Sequence, residues 1–142
     1  MYGVILTAHS EYSKGVYSGL KLVIGEMDNI RVVDYLESQS YEDLDKNLKA
    51  TYDELSKKYE KIIFITDLLG GTPFSRSVLN FGANKFVRVL TGMNFPLVYS
   101  ALIKEDTEDM DADVKSIIDD GQNGITFYQK PAENKQEETD GI

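Results

Sequence analysis

Gly3-Val4-Ile5-Leu6-Thr7-Ala8-His9-Ser10-Glu11-Tyr12-Ser13 passes in one step from an apolar run to a polar segment, and the only histidine of the chain stands at the step. The apolar run reads as a buried first strand and the polar residues as the start of a helix. In an open α/β sheet, the carboxyl ends of the strands are where ligands and chemistry sit. A second junction of this kind follows the run Ile62-Ile63-Phe64-Ile65-Thr66, in Asp67-Leu68-Leu69-Gly70-Gly71-Thr72-Pro73-Phe74. If the two strands are neighbours, the His9 imidazole and the Asp67 carboxylate face each other.

Outward from these junctions, apolar runs alternate with helical spacing. Val16, Leu20, Val23, Ile24 and Met27 recur every three or four residues, and Gly25 with Asp28-Asn29 closes that helix. Ile30 to Leu36 reads as a second strand. Ser40-Tyr41-Glu42-Asp43 resembles a capping box opening a helix with Tyr41, Leu44, Leu48, Leu55 and Tyr59 on one side. After the Ile62–Thr66 strand, Thr72 suits an N-cap and Pro73 the first helical position. Phe86 to Thr91 reads as a fourth strand, Gly92-Met93-Asn94 as a turn, and Phe95 to Ile103 as an apolar helix. The acidic stretch Glu105 to Asp113 reads as a loop leading into a helix around Val114, Ile117 and Ile118. Gly121-Gln122-Asn123-Gly124 reads as a turn and Ile125-Thr126-Phe127-Tyr128 as a half-exposed strand. Residues 1–129 form one domain in this reading, and 130–142 a disordered polar tail. Strand–helix alternation implies a four-stranded parallel sheet with helices on both faces, and its simplest order is 2-1-3-4. His9 and Asp67 then end adjacent strands, roughly 5 Å apart at the backbone.

Composition narrows the chemistry. The chain has 142 residues, 42% of them hydrophobic, enough for one packed core without metal or disulfide. It has no cysteine, which excludes thiolate catalysis and cysteine-based zinc sites. A formal net charge of −9 argues against a nucleic-acid partner. No basic leader precedes an apolar run and no run reaches spanning length, so the chain reads as soluble and cytoplasmic.

A carboxylate on one ring nitrogen of a neutral imidazole leaves the other as a nucleophile. No serine stands in a nucleophile-elbow context and no second histidine completes a metal site, so His9 itself is the expected nucleophile, with no metal and no cofactor. The turn Gly70-Gly71-Thr72-Pro73 opens a helix, whose free amides favour an anion. Gly70 and Gly71 allow close backbone approach to a phosphoryl group, while Thr72 and Ser10 offer hydroxyls. A nucleophilic imidazole facing an anion cradle points to phosphorylation on histidine.

These residues resemble enzyme IIA of the mannose class of the bacterial phosphoenolpyruvate-dependent sugar phosphotransferase system. The resemblance rests on Ala8-His9, Lys14-Gly15-Val16, Asp67 through Phe74, and Gly92-Met93-Asn94-Phe95-Pro96, and covers roughly residues 1 to 129 in order. It implies that His9 accepts a phosphoryl group from the histidine phosphocarrier protein while Asp67 holds the other ring nitrogen. It also implies that Thr72 and nearby amides bind phosphoryl oxygens. The group would pass to a IIB component and then to a sugar crossing the membrane through IIC and IID. It further implies a homodimer exchanging an antiparallel carboxyl-terminal strand, matched here by Ile125 to Tyr128. The family often has glycine where Ser10 stands and asparagine where Ser75 stands.

Rival readings are separable. A response-regulator receiver needs an acidic pair after the first strand, where this chain has His9-Ser10. A nucleotide-binding module needs a glycine loop there. A regulatory phosphohistidine domain, or a phosphoryl donor to a non-transport kinase, would keep His9 and differ in its acceptor.

Overall fold

The computed structural model describes residues 1–132, and the remainder of the polar tail read at 130–142 lies outside them. Four strands, β1 (Gly3–His9), β2 (Ile30–Tyr35), β3 (Ile62–Thr66) and β4 (Val87–Leu90), form one parallel sheet in the order β2-β1-β3-β4. Five helices connect and follow them: α1 (Tyr12–Ile24), α2 (Tyr41–Leu55), α3 (Thr72–Phe81), α4 (Phe95–Ile103) and α5 (Met110–Asn123). None of the described helices is long and apolar enough to cross a membrane.

Strand alternation divides the core into two layers. Val4, Leu6 and Ala8 of β1 and Ile63 and Ile65 of β3 pack with Leu20, Leu97, Val98 and Ile117. On the other face, Ile5 and Phe64 pack with Leu44, Leu48, Leu55 and Phe81. The central strands are covered on both sides, which is why they read as unbroken apolar runs rather than alternating ones. In register, Thr7 of β1 lies opposite both Val33 of β2 and Thr66 of β3. The ends of β1 and β3 therefore emerge together at the point where the chain's winding reverses.

Several boundaries differ from the sequence reading. The Ser40 box forms as expected, Asp43 N–H donating to Ser40 Oγ at 3.2 Å and Ser40 N–H to Asp43 Oδ2 at 2.9 Å. Its helix ends at Leu55, however, so Tyr59 lies beyond it and donates its hydroxyl to Asp28 at 3.2 Å. Tyr41 is half exposed, with the Arg76 guanidinium 4.6 Å from its ring centroid. α5 begins inside the acidic stretch at Met110, because Asp109 caps it by accepting from Ala112 N–H at 3.0 Å. Asp111 and Asp113 then sit in its first turn, where the helix dipole favours negative charge.

α5 also runs through Gly121 and Gln122, read as a turn. Gly121 packs on α4 so closely that a Cβ there would stand 2.8 Å from Leu97 Cδ1, and its carbonyl accepts from Asn94 Nδ2 at 2.9 Å. The missing side chain here serves helix packing. Ile125 to Tyr128 forms no strand in this chain: the segment leaves α5 with Ile125, Phe127 and Tyr128 all exposed and pairs with no sheet edge.

Candidate functional site

His9 is the last residue of β1, and its neighbours come from the ends of β2 and β3. Asp67 follows β3 directly, and its Oδ2 accepts from both the His9 backbone N–H, at 3.1 Å, and the ring Nδ1, at 2.8 Å. A carboxylate can only accept, so in the neutral imidazole Nδ1 carries the hydrogen and Nε2 the lone pair. The His9 side chain is 45% exposed and that of Asp67 only 16%. Asp67 Oδ1 is buried and has no hydrogen-bond partner among the described residues. The charge of this carboxylate is thus met chiefly by the two N–H groups of His9. One partly desolvated anion orients the ring and compensates any positive charge the ring gains.

The other sequence candidates take distinct places. Gly70 has φ +78°, the left-handed conformation that glycine adopts without strain, and it turns the chain from Asp67 into α3. Gly71 lies against the imidazole: a Cβ there would be 2.8 Å from His9 Cε1 and 3.3 Å from the Leu68 carbonyl oxygen. Gly71 is also the N-cap of α3, so Thr72 is the first helical residue and Pro73 the second, one position later than expected. The first turn closes on the Gly71 carbonyl through Ser75 N–H at 2.9 Å, which leaves Thr72 inside the helix instead of capping it. Neither the Thr72 hydroxyl nor the Thr72 and Phe74 amides hydrogen-bond to protein among the described residues. These amides form the electropositive start of α3.

Ser10 is exposed and has φ +52°, a conformation costing roughly 1–2 kcal/mol for an L-residue with a Cβ. It is held there by its N–H donating to Tyr35 carbonyl oxygen at 2.7 Å. Glycine would meet the same backbone demand without strain, so Ser10 supplies a hydroxyl at a conformational cost.

Gly71→Ala is expected to retain the fold while displacing the His9 ring, because the added methyl meets the movable end of a half-exposed side chain. Thermal unfolding should move only a few degrees, whereas the ¹⁵N shifts of the single imidazole should change markedly. Wild-type ring shifts in the variant would remove Gly71 from the site.

Tyr35 and Tyr12 were not among the sequence candidates. Tyr35 lies opposite His9 in the β1–β2 register and meets its ring edge to face, centroids 6.2 Å apart. Its place on strand two was legible, but the register that sets it beside His9 was not. Tyr12, at the start of α1, donates its hydroxyl to Met93 carbonyl oxygen at 3.0 Å.

Comparison with known proteins finds a family match over residues 3–118, the family described as PTS system fructose IIA component. The PTS system mannose-specific EIIAB component of Escherichia coli (strain K12) is 21% identical over 132 residues, covering 92% of this chain and 41% of that protein. The chain therefore spans well under half the length of that relative. The PTS system sorbose-specific EIIA component of Lacticaseibacillus casei is 23% identical over 100 residues, 70% of this chain and 71% of that protein. Among solved structures, the phosphotransferase system component EIIA from Streptococcus agalactiae superposes with a TM-score of 0.77 at 27% identity, covering 89% of this chain and 97% of that one. With the matched span holding both strand ends, the aspartate and the glycine turn, this chain belongs to the phosphotransferase-system IIA family of the fructose and mannose type.

Proposed function

We propose that the chain is a phosphocarrier of sugar uptake: His9 Nε2 accepts a phosphoryl group from the histidine phosphocarrier protein and passes it to a IIB component. The observation that carries this reading is the 2.8 Å contact of Nδ1 with Asp67 Oδ2 on a ring left half exposed. In the first transfer the Nε2 lone pair forms the bond to phosphorus as the bond to the donor nitrogen breaks, that nitrogen keeping its electron pair. Nδ1 retains its hydrogen on Asp67 throughout, so the ring gains positive charge that the carboxylate offsets. The start of α3 then binds the phosphoryl oxygens through the Thr72 and Phe74 amides and the Thr72 hydroxyl, with Ser10 as a further donor. Gly70 and Gly71 keep the approach open. The second transfer reverses these events toward the IIB histidine, and IIC and IID carry the sugar. In this reading the chain works on the cytoplasmic side of the membrane.

Intact mass after incubation with phosphoenolpyruvate, enzyme I and the histidine phosphocarrier tests it. One acid-labile phosphoryl group that then leaves on addition of a IIB component is expected. Failure to accept phosphate, or acceptance in an acid-stable form, would overturn the reading. Phosphate that leaves only to a soluble kinase would reassign the chain to non-transport phosphorylation.

Residues 1–129 are proposed to act as a homodimer. Among the described residues β4 pairs with β3 alone, which leaves its outer edge open there, and an apolar groove beside it is lined by Leu69, Phe74, Val89, Leu97, Val114 and Ile118. An unpaired edge beside apolar surface invites another strand. Ile125 to Tyr128 supplies one with exposed apolar side chains, suited to antiparallel exchange between two copies. Shortening the chain to residues 1–124, which keeps the Gly124 cap of α5, is expected to convert dimer to monomer by light scattering; an unchanged dimer would place the interface elsewhere.

A further inference from the structure

Tyr12 takes no part in the phosphocarrier chemistry described above, yet it is tied into the site from the far side of β1. It is the first residue of α1 and is 49% exposed, a setting in which a phenol ordinarily gives its hydroxyl to water. Instead the hydroxyl donates to Met93 carbonyl oxygen, 81 residues away in sequence. Met93 is buried, and its own N–H donates to the Thr66 carbonyl at 3.0 Å. Thr66 ends β3 immediately before Asp67, and its hydroxyl donates to Leu90 carbonyl oxygen at 3.1 Å. A single path of hydrogen bonds and backbone thus runs from the start of α1, through the Gly92–Asn94 turn, to the residue that carries Asp67.

Glu11, the N-cap of α1, makes no side-chain cap bond, and Ser10 before it is held in a strained conformation. The backbone of the segment joining His9 to α1 is held by Ser10 N–H on the Tyr35 carbonyl and by Gly15 N–H on the Glu11 carbonyl, and the phenol adds the tie from α1 to the turn after β4. On the other side of the latch the turn bends at Gly92, with φ +84°, and Met93, its side chain packed in the core, gives its backbone N–H to Thr66 and its carbonyl oxygen to Tyr12.

We propose that Tyr12 is a positioning residue of this site: its hydroxyl latches the Gly92–Asn94 turn against Thr66 and so fixes Asp67 on His9 Nδ1. Its effect on transfer rests on the phosphocarrier reading; its effect on the ring does not. The latch needs the hydroxyl, whereas a role in docking a partner protein would need only the exposed ring.

Tyr12→Phe and Tyr12→Ala separate these, read by ¹⁵N and ¹H spectra of the one histidine and by the rate of phosphoryl transfer from the histidine phosphocarrier. Tyr12→Phe should unfold near the wild-type temperature. Its Nδ1 proton should exchange with water about fivefold faster, and transfer should slow by a similar factor, the weight of one hydrogen bond. In an Asp67→Ala background, which removes the acceptor on Nδ1, the same change should slow transfer less than twofold, because the latch acts through Asp67. Wild-type ring signals and rate in Tyr12→Phe, with only Tyr12→Ala slowed, would overturn the latch in favour of docking. Equal slowing in both backgrounds would overturn it too, since the contact would then act independently of Asp67. Should the wild type take no phosphoryl group, the phosphocarrier reading fails, and the proton-exchange rate still decides the latch.

Discussion

His9→Ala is expected to abolish phosphorylation altogether while leaving a folded protein. No second imidazole exists in the chain to take over. The nearby hydroxyls are poor replacements: the Ser10 hydroxyl is hydrogen-bonded to no base among the described residues, and the Tyr12 phenol is committed to the Met93 carbonyl. The structural cost should be small. The ring is nearly half exposed, so its loss removes one edge contact with Tyr35 and one of the two N–H groups on Asp67 Oδ2, while the backbone N–H of residue 9 remains. Leaving a partly buried carboxylate with one donor fewer costs about 1–3 kcal/mol. Circular dichroism should be unchanged, the melting temperature should fall by several degrees, and intact mass should register no phosphoryl group under conditions that modify the wild type fully. Wild-type phosphorylation of this variant would move the chemistry off the β1 end entirely.

The parts of this molecule that were legible in its sequence are those set by burial. β1 and β3 sit at the middle of the sheet, so Gly3 to Leu6 and Ile62 to Ile65 had to be apolar, and the alternation with helices fixes a parallel sheet with a reversal between them. His9 and Asp67 stand out because each ends such a run. What could not be read is whatever depends on two backbones approaching. Gly70-Gly71 looks like a turn on any reading, but that Gly71 abuts the imidazole follows only from the placement of α3 over β1. Gly121-Gln122-Asn123-Gly124 has the composition of a turn and is mostly helix, since contact with Leu97 and the hydrogen bond from Asn94 outweigh local propensity. Tyr41 has the spacing of a core residue, yet it forms the exposed lid on a polar contact: Arg76, bound to Asp45, stacks on it between α2 and α3. Helical period locates a face, and only the neighbouring helix decides whether that face is buried.

Asp67→Asn should slow phosphoryl transfer by about 10- to 100-fold, which corresponds to roughly 1.4–2.7 kcal/mol of transition-state stabilisation. The geometry indicates which property of the carboxylate is lost. Two N–H donors, from the backbone and from Nδ1 of the same histidine, converge on one oxygen, Oδ2. An asparagine amide has a single acceptor oxygen, and placing it anywhere but at that position would set its NH₂ group against two donors. The carbonyl oxygen is therefore held in place by the His9 backbone, and the ring keeps hydrogen on Nδ1 and its lone pair on Nε2. This differs from a site where the aspartate meets the ring alone and the amide is free to flip, trapping the wrong tautomer. Orientation survives; the negative charge does not, and it is needed as the ring becomes cationic on forming its bond to phosphorus. The amide nitrogen would occupy the position of Oδ1, which is buried without a partner, so the variant should also lose about 1–3 kcal/mol of stability. Long-range ¹⁵N correlation spectra of the unmodified ring should keep the wild-type tautomer while single-turnover transfer slows. A wild-type rate would show that the charge of Asp67 is unused, and a switch of the hydrogen to Nε2 would show that the backbone N–H does not hold the amide.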